Sequence, residues 1–113
     1  MRSLITHHHN LPSTQGLILL CEVALGDPNE LTQADYNADW LPPGRHSTKG
    51  VGRTQPDPAE TVVMPDGVAV PLGKPVSVSH LQGKQLALLY NEYIVYRADQ
   101  LRIRYMLQVE FVY

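Results

Sequence analysis

The sequence predicts an α+β class dominated by an antiparallel or mixed β-sheet. Three observations carry this. Residues 101–113 alternate apolar and polar side chains at period two. The run Leu17-Ile18-Leu19-Leu20-Cys21 has the length of a strand and lies between Gly16 and Gly26. Asp66-Gly67 sits between two β-branched runs, which is a hairpin signal. No stretch carries the apolar spacing of a long amphipathic helix.

Taken in chain order, residues 1–15 are polar and read as an irregular N-terminal segment. They contain His7, His8 and His9 in a row. Adjacent histidines of an extended chain point to alternate faces, which is poor geometry for one tetrahedral metal, so no metal site is expected. The run from Leu17 shows no polar face through most of its length and reads as a strand buried on both sides. Cys21 within it reads as a buried, inert thiol. A secretory leader has a similar outline, but Glu22 interrupts the apolar segment and the segment is too short to span a bilayer. Cleavage before Asp27 would be the mark of that alternative.

Residues 27–60 are broken by Asp27-Pro28, Pro42-Pro43-Gly44, Gly50, Gly52 and Pro56-Asp57-Pro58. They read as a long loop with a helical turn near Glu30 to Ala34. Arg45, His46, Lys49 and Arg53 make this loop basic. A lone Gly50-Val51-Gly52 without a following helix reads as flexible loop more readily than as a phosphate cradle. Thr61 to Met64 and Val68 to Val70 form the arms of the hairpin, and residues 74–85 read as a second loop. Leu88 to Tyr96 is a strand rich in aromatic and β-branched residues. In the last strand Leu101, Ile103, Tyr105, Leu107, Val109, Phe111 and Tyr113 share one face, and Arg102, Arg104, Gln108 and Glu110 the other.

The 113 residues suffice for one small domain. Hydrophobic residues at 43% against 18% charged place the chain among globular proteins rather than disordered ones. Nine basic and eleven acidic residues leave a net charge of -2, so nothing global calls for nucleic acid or an acidic membrane. One cysteine excludes an internal disulfide and favours a reducing compartment.

The candidate catalytic residue is Glu92. Alternation puts Tyr90, Glu92, Ile94 and Tyr96 on one face, so the carboxylate lies on a largely apolar surface. A glutamate there is either at an exposed edge or in a functional cleft, and the pattern alone favours the edge.

The segment Leu88-Leu89-Tyr90-Asn91-Glu92-Tyr93-Ile94-Val95-Tyr96 resembles the signature strand of the nuclear poly(ADP-ribose) polymerases. Gly16 to Asp27, Leu41 to Thr54 with Pro56-Asp57-Pro58, and Asp66 to Gly73 resemble further family motifs in the same order. The resemblance implies a partial, C-terminal half of the catalytic domain over residues 1–113, a fragment of the ADP-ribosyltransferase fold. It implies an NAD-dependent transferase that releases nicotinamide and passes ADP-ribose to protein or to a growing ADP-ribose chain. Glu92 matches the family's catalytic Glu. Counting back from Gly16 without gaps, Arg2-Ser3 falls where the family has Lys-Ser, which makes Ser3 a candidate NAD-binding residue. Thr6 stands where the family has a Tyr that stacks on nicotinamide. Tyr90 and Asn91 fall on the acceptor side. No histidine of the triplet is followed by the Gly of the family's His-Gly motif. The family's His and Tyr precede the matching part, so these residues alone are expected to transfer little. The implied partners are NAD as substrate and protein acceptors including the protein itself. DNA is reached only through other domains, no membrane is involved, and the setting is nuclear with a role in DNA repair. A degenerate relative that binds NAD, ADP-ribose or protein without catalysis is the alternative.

Overall fold

The computed structural model describes residues 1–10, 14–78 and 85–112, and of residues 6–10 the backbone alone. Strands dominate it, in mixed and antiparallel sheets. Among the described residues helix is confined to two 3-10 turns, Pro58–Glu60 and Ala98–Gln100.

Eleven strands follow one another: β1 (Arg2–Asn10), β2 (Gln15–Ala24), β3 (Pro28–Leu31), β4 (Ser47–Gly50), β5 (Gly52–Pro56), β6 (Val62–Val63), β7 (Ala69–Val70), β8 (Pro75–Ser77), β9 (Leu88–Tyr90), β10 (Glu92–Ile94) and β11 (Leu101–Glu110). They form three sheets, ordered β11-β2-β1-β7-β6, β10-β4-β3 and β8-β5-β9. The core lies on one face of β2. Cys21, Val23 and Leu25 are buried there, and Ile5, Leu19, Tyr93 and Val95 pack against them. Tyr93 and Val95 thereby dock the second sheet onto the first, and the even-numbered residues of β10 point the other way. Burial of Leu25, 1% exposed, contributes on the order of 1.5–3 kcal/mol.

β2 occupies the interior place that its apolar run predicts. It pairs with β1 on one side and β11 on the other, and Cys21 is buried. The hairpin also forms as expected. Val62 pairs with Val70 and Val63 with Ala69, and Gly67 supplies the positive φ of +86° that the turn requires.

Four expectations need correction. The segment 1–15 is not irregular: Arg2 to Asn10 pairs in nine consecutive positions with Ala24 to Gly16, a long antiparallel ladder that polar composition does not reveal. Residues 27–60 are not one loop. They contain β3, β4 and β5, and the expected helical turn begins in β3, because β4 offers a parallel partner to Pro28–Leu31. The strand over 88–96 is not continuous. It breaks at Asn91 into β9, parallel to β5, and β10, antiparallel to β4.

The fourth correction concerns β11. Leu101 and Ile103 pair with Val23 and Cys21, but the register then shifts and Tyr105 pairs with Leu20. Val23 and Cys21 lie on one face of β2 and Leu20 on the other. The bulge at Arg104 therefore carries Tyr105 and Leu107 to the face opposite Leu101 and Ile103. The single apolar face read from the sequence is split, and as an edge strand β11 is mostly exposed rather than half-buried. Tyr113 lies outside the described residues.

The face of the bulge carries an ion cluster. Glu22 is buried in β2 and its carboxylate receives Arg2 from β1 at 2.5 Å and Arg102 and Arg104 from β11 at 2.7 and 2.6 Å. Arg2 also donates to the Asp66 carbonyl in the hairpin. Arg102 foremost, then Arg104, pull the Glu22 pKa down to about 2, against a smaller opposing effect of burial. The bulge is what lets two arginines two positions apart reach one carboxylate.

Candidate functional site

Glu92 opens β10, which is an edge strand of its sheet. Its carboxylate also lines a cavity of about 220 Å3, so the edge and the cleft readings meet in one place. Leu88, Ile94 and Leu31 supply apolar walls, Gly50 and Val51 the floor, and residues of the 31–38 segment the rim. Among the described residues no hydrogen bond or ion pair engages the Glu92 carboxylate, which leaves it available to a ligand.

The position of Glu92 rests on close backbone approach. It pairs with Gly50, where an added Cβ would come within 2.8 Å of Leu88 Cδ1. At Gly52 an added Cβ would stand 2.6 Å from Tyr90 Cα and 2.7 Å from the Asn91 nitrogen. Gly50-Val51-Gly52 is thus a seat for the 88–92 backbone and not a phosphate cradle or a flexible loop. Its signal in the sequence was the two glycines flanking a valine, which is 4% exposed here. The Asn91 side-chain oxygen accepts the Gly52 N–H at 2.9 Å and so holds the break between β9 and β10 in place.

Thr48 is a further residue that sequence reasoning missed. It pairs with Ile94, is 3% exposed and lines the Glu92 cavity. Its hydroxyl contacts the Ala38 carbonyl at 3.3 Å and the Tyr96 hydroxyl at 2.6 Å. With Thr48 donating to the carbonyl, Tyr96 donates to Thr48. This pair ties the 31–41 segment to the cavity wall.

The other candidates sit elsewhere. Ser3 is buried in β1, paired with Val23 and with Ala69, in the five-stranded sheet, and does not line the Glu92 cavity. Tyr90 ends β9 in the third sheet and is 60% exposed, so it does not share a strand face with Glu92. Asn91 lies between the two strands, half-buried. The side chains of His7, His8 and His9, on which the metal expectation bears, lie outside the described residues. No helix among the described residues is long and apolar enough to cross a membrane.

A profile of the poly(ADP-ribose) polymerase catalytic domain matches residues 5–111. The chain belongs to the poly(ADP-ribose) polymerase catalytic domain family. It is 59% identical over 104 residues to poly [ADP-ribose] polymerase 2 of Arabidopsis thaliana, covering 92% of this chain and 16% of that protein. It is 57% identical over 96 residues to poly [ADP-ribose] polymerase 2-A of Oryza sativa subsp. japonica, covering 85% of this chain and 14% of that protein. It is 50% identical over 106 residues to poly [ADP-ribose] polymerase 1 of Xenopus laevis, covering 93% of this chain and 10% of that protein. The chain therefore spans about a sixth or less of the length of these relatives. Within the family fold, the described strands contribute the wall that carries Glu92.

Proposed function

We propose that this chain contributes the catalytic carboxylate of an NAD-dependent ADP-ribosyltransferase, with Glu92 in that role. The observation that carries the proposal is an unpaired carboxylate on an edge strand, facing a partly apolar cavity, in a chain of the polymerase family. Loss of nicotinamide from NAD leaves positive charge on the ribose, as in glycoside cleavage. A fixed carboxylate beside that carbon stabilises the charge as it develops, and apolar walls strengthen its field. The same oxygen accepts a hydrogen bond from a ribose hydroxyl and draws the proton from an attacking acceptor hydroxyl. Tyr90, exposed beside this site, faces the acceptor, and Asn91 fixes the strand break that presents Glu92. Ser3 is proposed to hold the nicotinamide amide. Protein acceptors, the protein itself included, and a nuclear setting belong to the same proposal.

The test is Glu92→Gln in the full-length protein with labelled NAD. The expected result is a loss of chain elongation on the order of 10²-fold or more. Undiminished polymer length removes Glu92 from the mechanism. A non-catalytic binding module is the second reading, supported by the separation of Ser3 and Glu92 into different sheets. Titration calorimetry with NAD separates the two: binding without nicotinamide release in the full-length protein favours the module.

A further inference from the structure

Tyr96 lies two residues beyond Ile94 and on the same side as Glu92. It lines a second cavity, of about 450 Å3, together with Leu41, Arg45, His46 and Arg97. The 2.6 Å contact between the Thr48 and Tyr96 hydroxyls divides the two cavities, since Thr48 walls the first and Tyr96 the second. Two guanidinium groups border the second cavity. Arg45 makes one long bond, to the Pro28 carbonyl at 3.3 Å. Arg97 pairs with Asp99 at 2.7 Å, but both side chains are well exposed, at 76% and 65%, and such a pair is weak. His46 accepts the Asp27 N–H at Nδ1, 3.1 Å away, so its neutral ring carries the proton on Nε2. Gln100 is occupied with the Ala24 and His46 carbonyls and frames the cavity. An adjoining notch, which shares Ala24 and Gln100, adds Arg2 and Arg102 beside Glu22 and Asp99. Cationic groups thus gather on one surface of a chain whose net charge is -2.

We propose that this cavity binds the pyrophosphate-bearing unit of an ADP-ribose acceptor chain. Arg45 and Arg97 take the phosphates through paired N–H donors, and the Tyr96 ring and Leu41 take the base. The proposal rests on the reading of Glu92 as the transfer residue. Four residues of extended chain separate Glu92 from Tyr96, about 13 Å. A unit held at Tyr96 therefore belongs to the acceptor chain and not to the ribose under attack at Glu92.

The experiment uses the full-length protein with its donor site saturated by a non-reacting NAD analogue. Binding of a purified ADP-ribose oligomer is compared between wild type and Arg45→Ala/Arg97→Ala. The expected change is a loss of affinity of about ten- to a hundredfold, shorter polymers, and an unchanged KM for NAD in the first transfer. Arg45→Lys/Arg97→Lys should recover part of the affinity, because the charge remains. Equal binding and equal polymer length in the double variant overturn the proposal. Tighter binding of single-stranded DNA or of a polyglutamate peptide, lost in the same variant, also overturns it. If the double variant fails to fold, Arg97→Ala alone carries the test, since its side chain is mostly exposed. Absence of any transfer by the wild type sinks the catalytic reading, while the binding comparison still reports on this cavity.

Discussion

Gly52→Ala should disturb the catalytic strand without touching a catalytic group. The new methyl would stand 2.6 Å from Tyr90 Cα and 2.7 Å from the Asn91 nitrogen, both main-chain atoms. Carbon atoms in good contact lie about 3.5–4.0 Å apart, so β5 and the 90–91 backbone must separate by roughly 1 Å. Overpacking of this kind costs about 1–3 kcal/mol. For a domain of this size that is a melting-temperature fall on the order of 4 °C per kcal/mol. Separation also lengthens the 2.9 Å bond from Gly52 N–H to Asn91, and Glu92 follows Asn91 directly. Transfer activity should therefore fall along with stability. Gly44→Ala is the contrast. Nothing lies within 4 Å of its added Cβ, but its φ of +82° is strained for alanine by about 1 kcal/mol. It should lower the melting temperature slightly and leave transfer intact. The assay is scanning calorimetry with nicotinamide release on the full-length variants. If Gly52→Ala melts and turns over like wild type, the close-approach argument is wrong.

Two further outcomes are expected. The Glu22 carboxylate is held at about 2 against an ordinary 4.5, so the unfolded chain takes up its proton first as pH falls. Its contribution to stability is present above about pH 4.5 and is lost towards pH 2, and Glu22→Gln should flatten the acid limb of an unfolding titration over that window; an unchanged limb refutes it. Ser47 is fully buried and donates to the Leu25 carbonyl at 2.8 Å, so Ser47→Ala should cost about 1–3 kcal/mol in denaturant unfolding, and a cost near zero would show that the bond is dispensable.

Local pattern was enough for some features and silent on others. The apolar run around Leu19, the Asp66-Gly67 turn and the extended character of Leu101 to Glu110 were legible, because side-chain period and turn chemistry are properties of neighbouring residues. The motifs around Glu92 were legible too, and they named the carboxylate that the structure finds lining a cavity. Polar β1 was missed because its nine pairings are made with residues on another strand. Short β3, β4 and β5 were missed because prolines and glycines, read as loop signals, here flank strands that non-local partners stabilise.

What the sequence determined by itself was the class of sheet, the family and the identity of the candidate carboxylate. Tertiary structure alone decided three things. A one-residue bulge at Arg104 turned a perfect alternation into two half-faces and gathered Arg2, Arg102 and Arg104 on Glu22. A break at Asn91 assigned Tyr90 and Glu92 to different sheets. Close approach at Gly50 and Gly52 set where the carboxylate stands. The physical reason is common to all three. Each depends on which strand lies alongside and in what register, and a shift of one residue reverses every side chain without altering the period that the sequence displays.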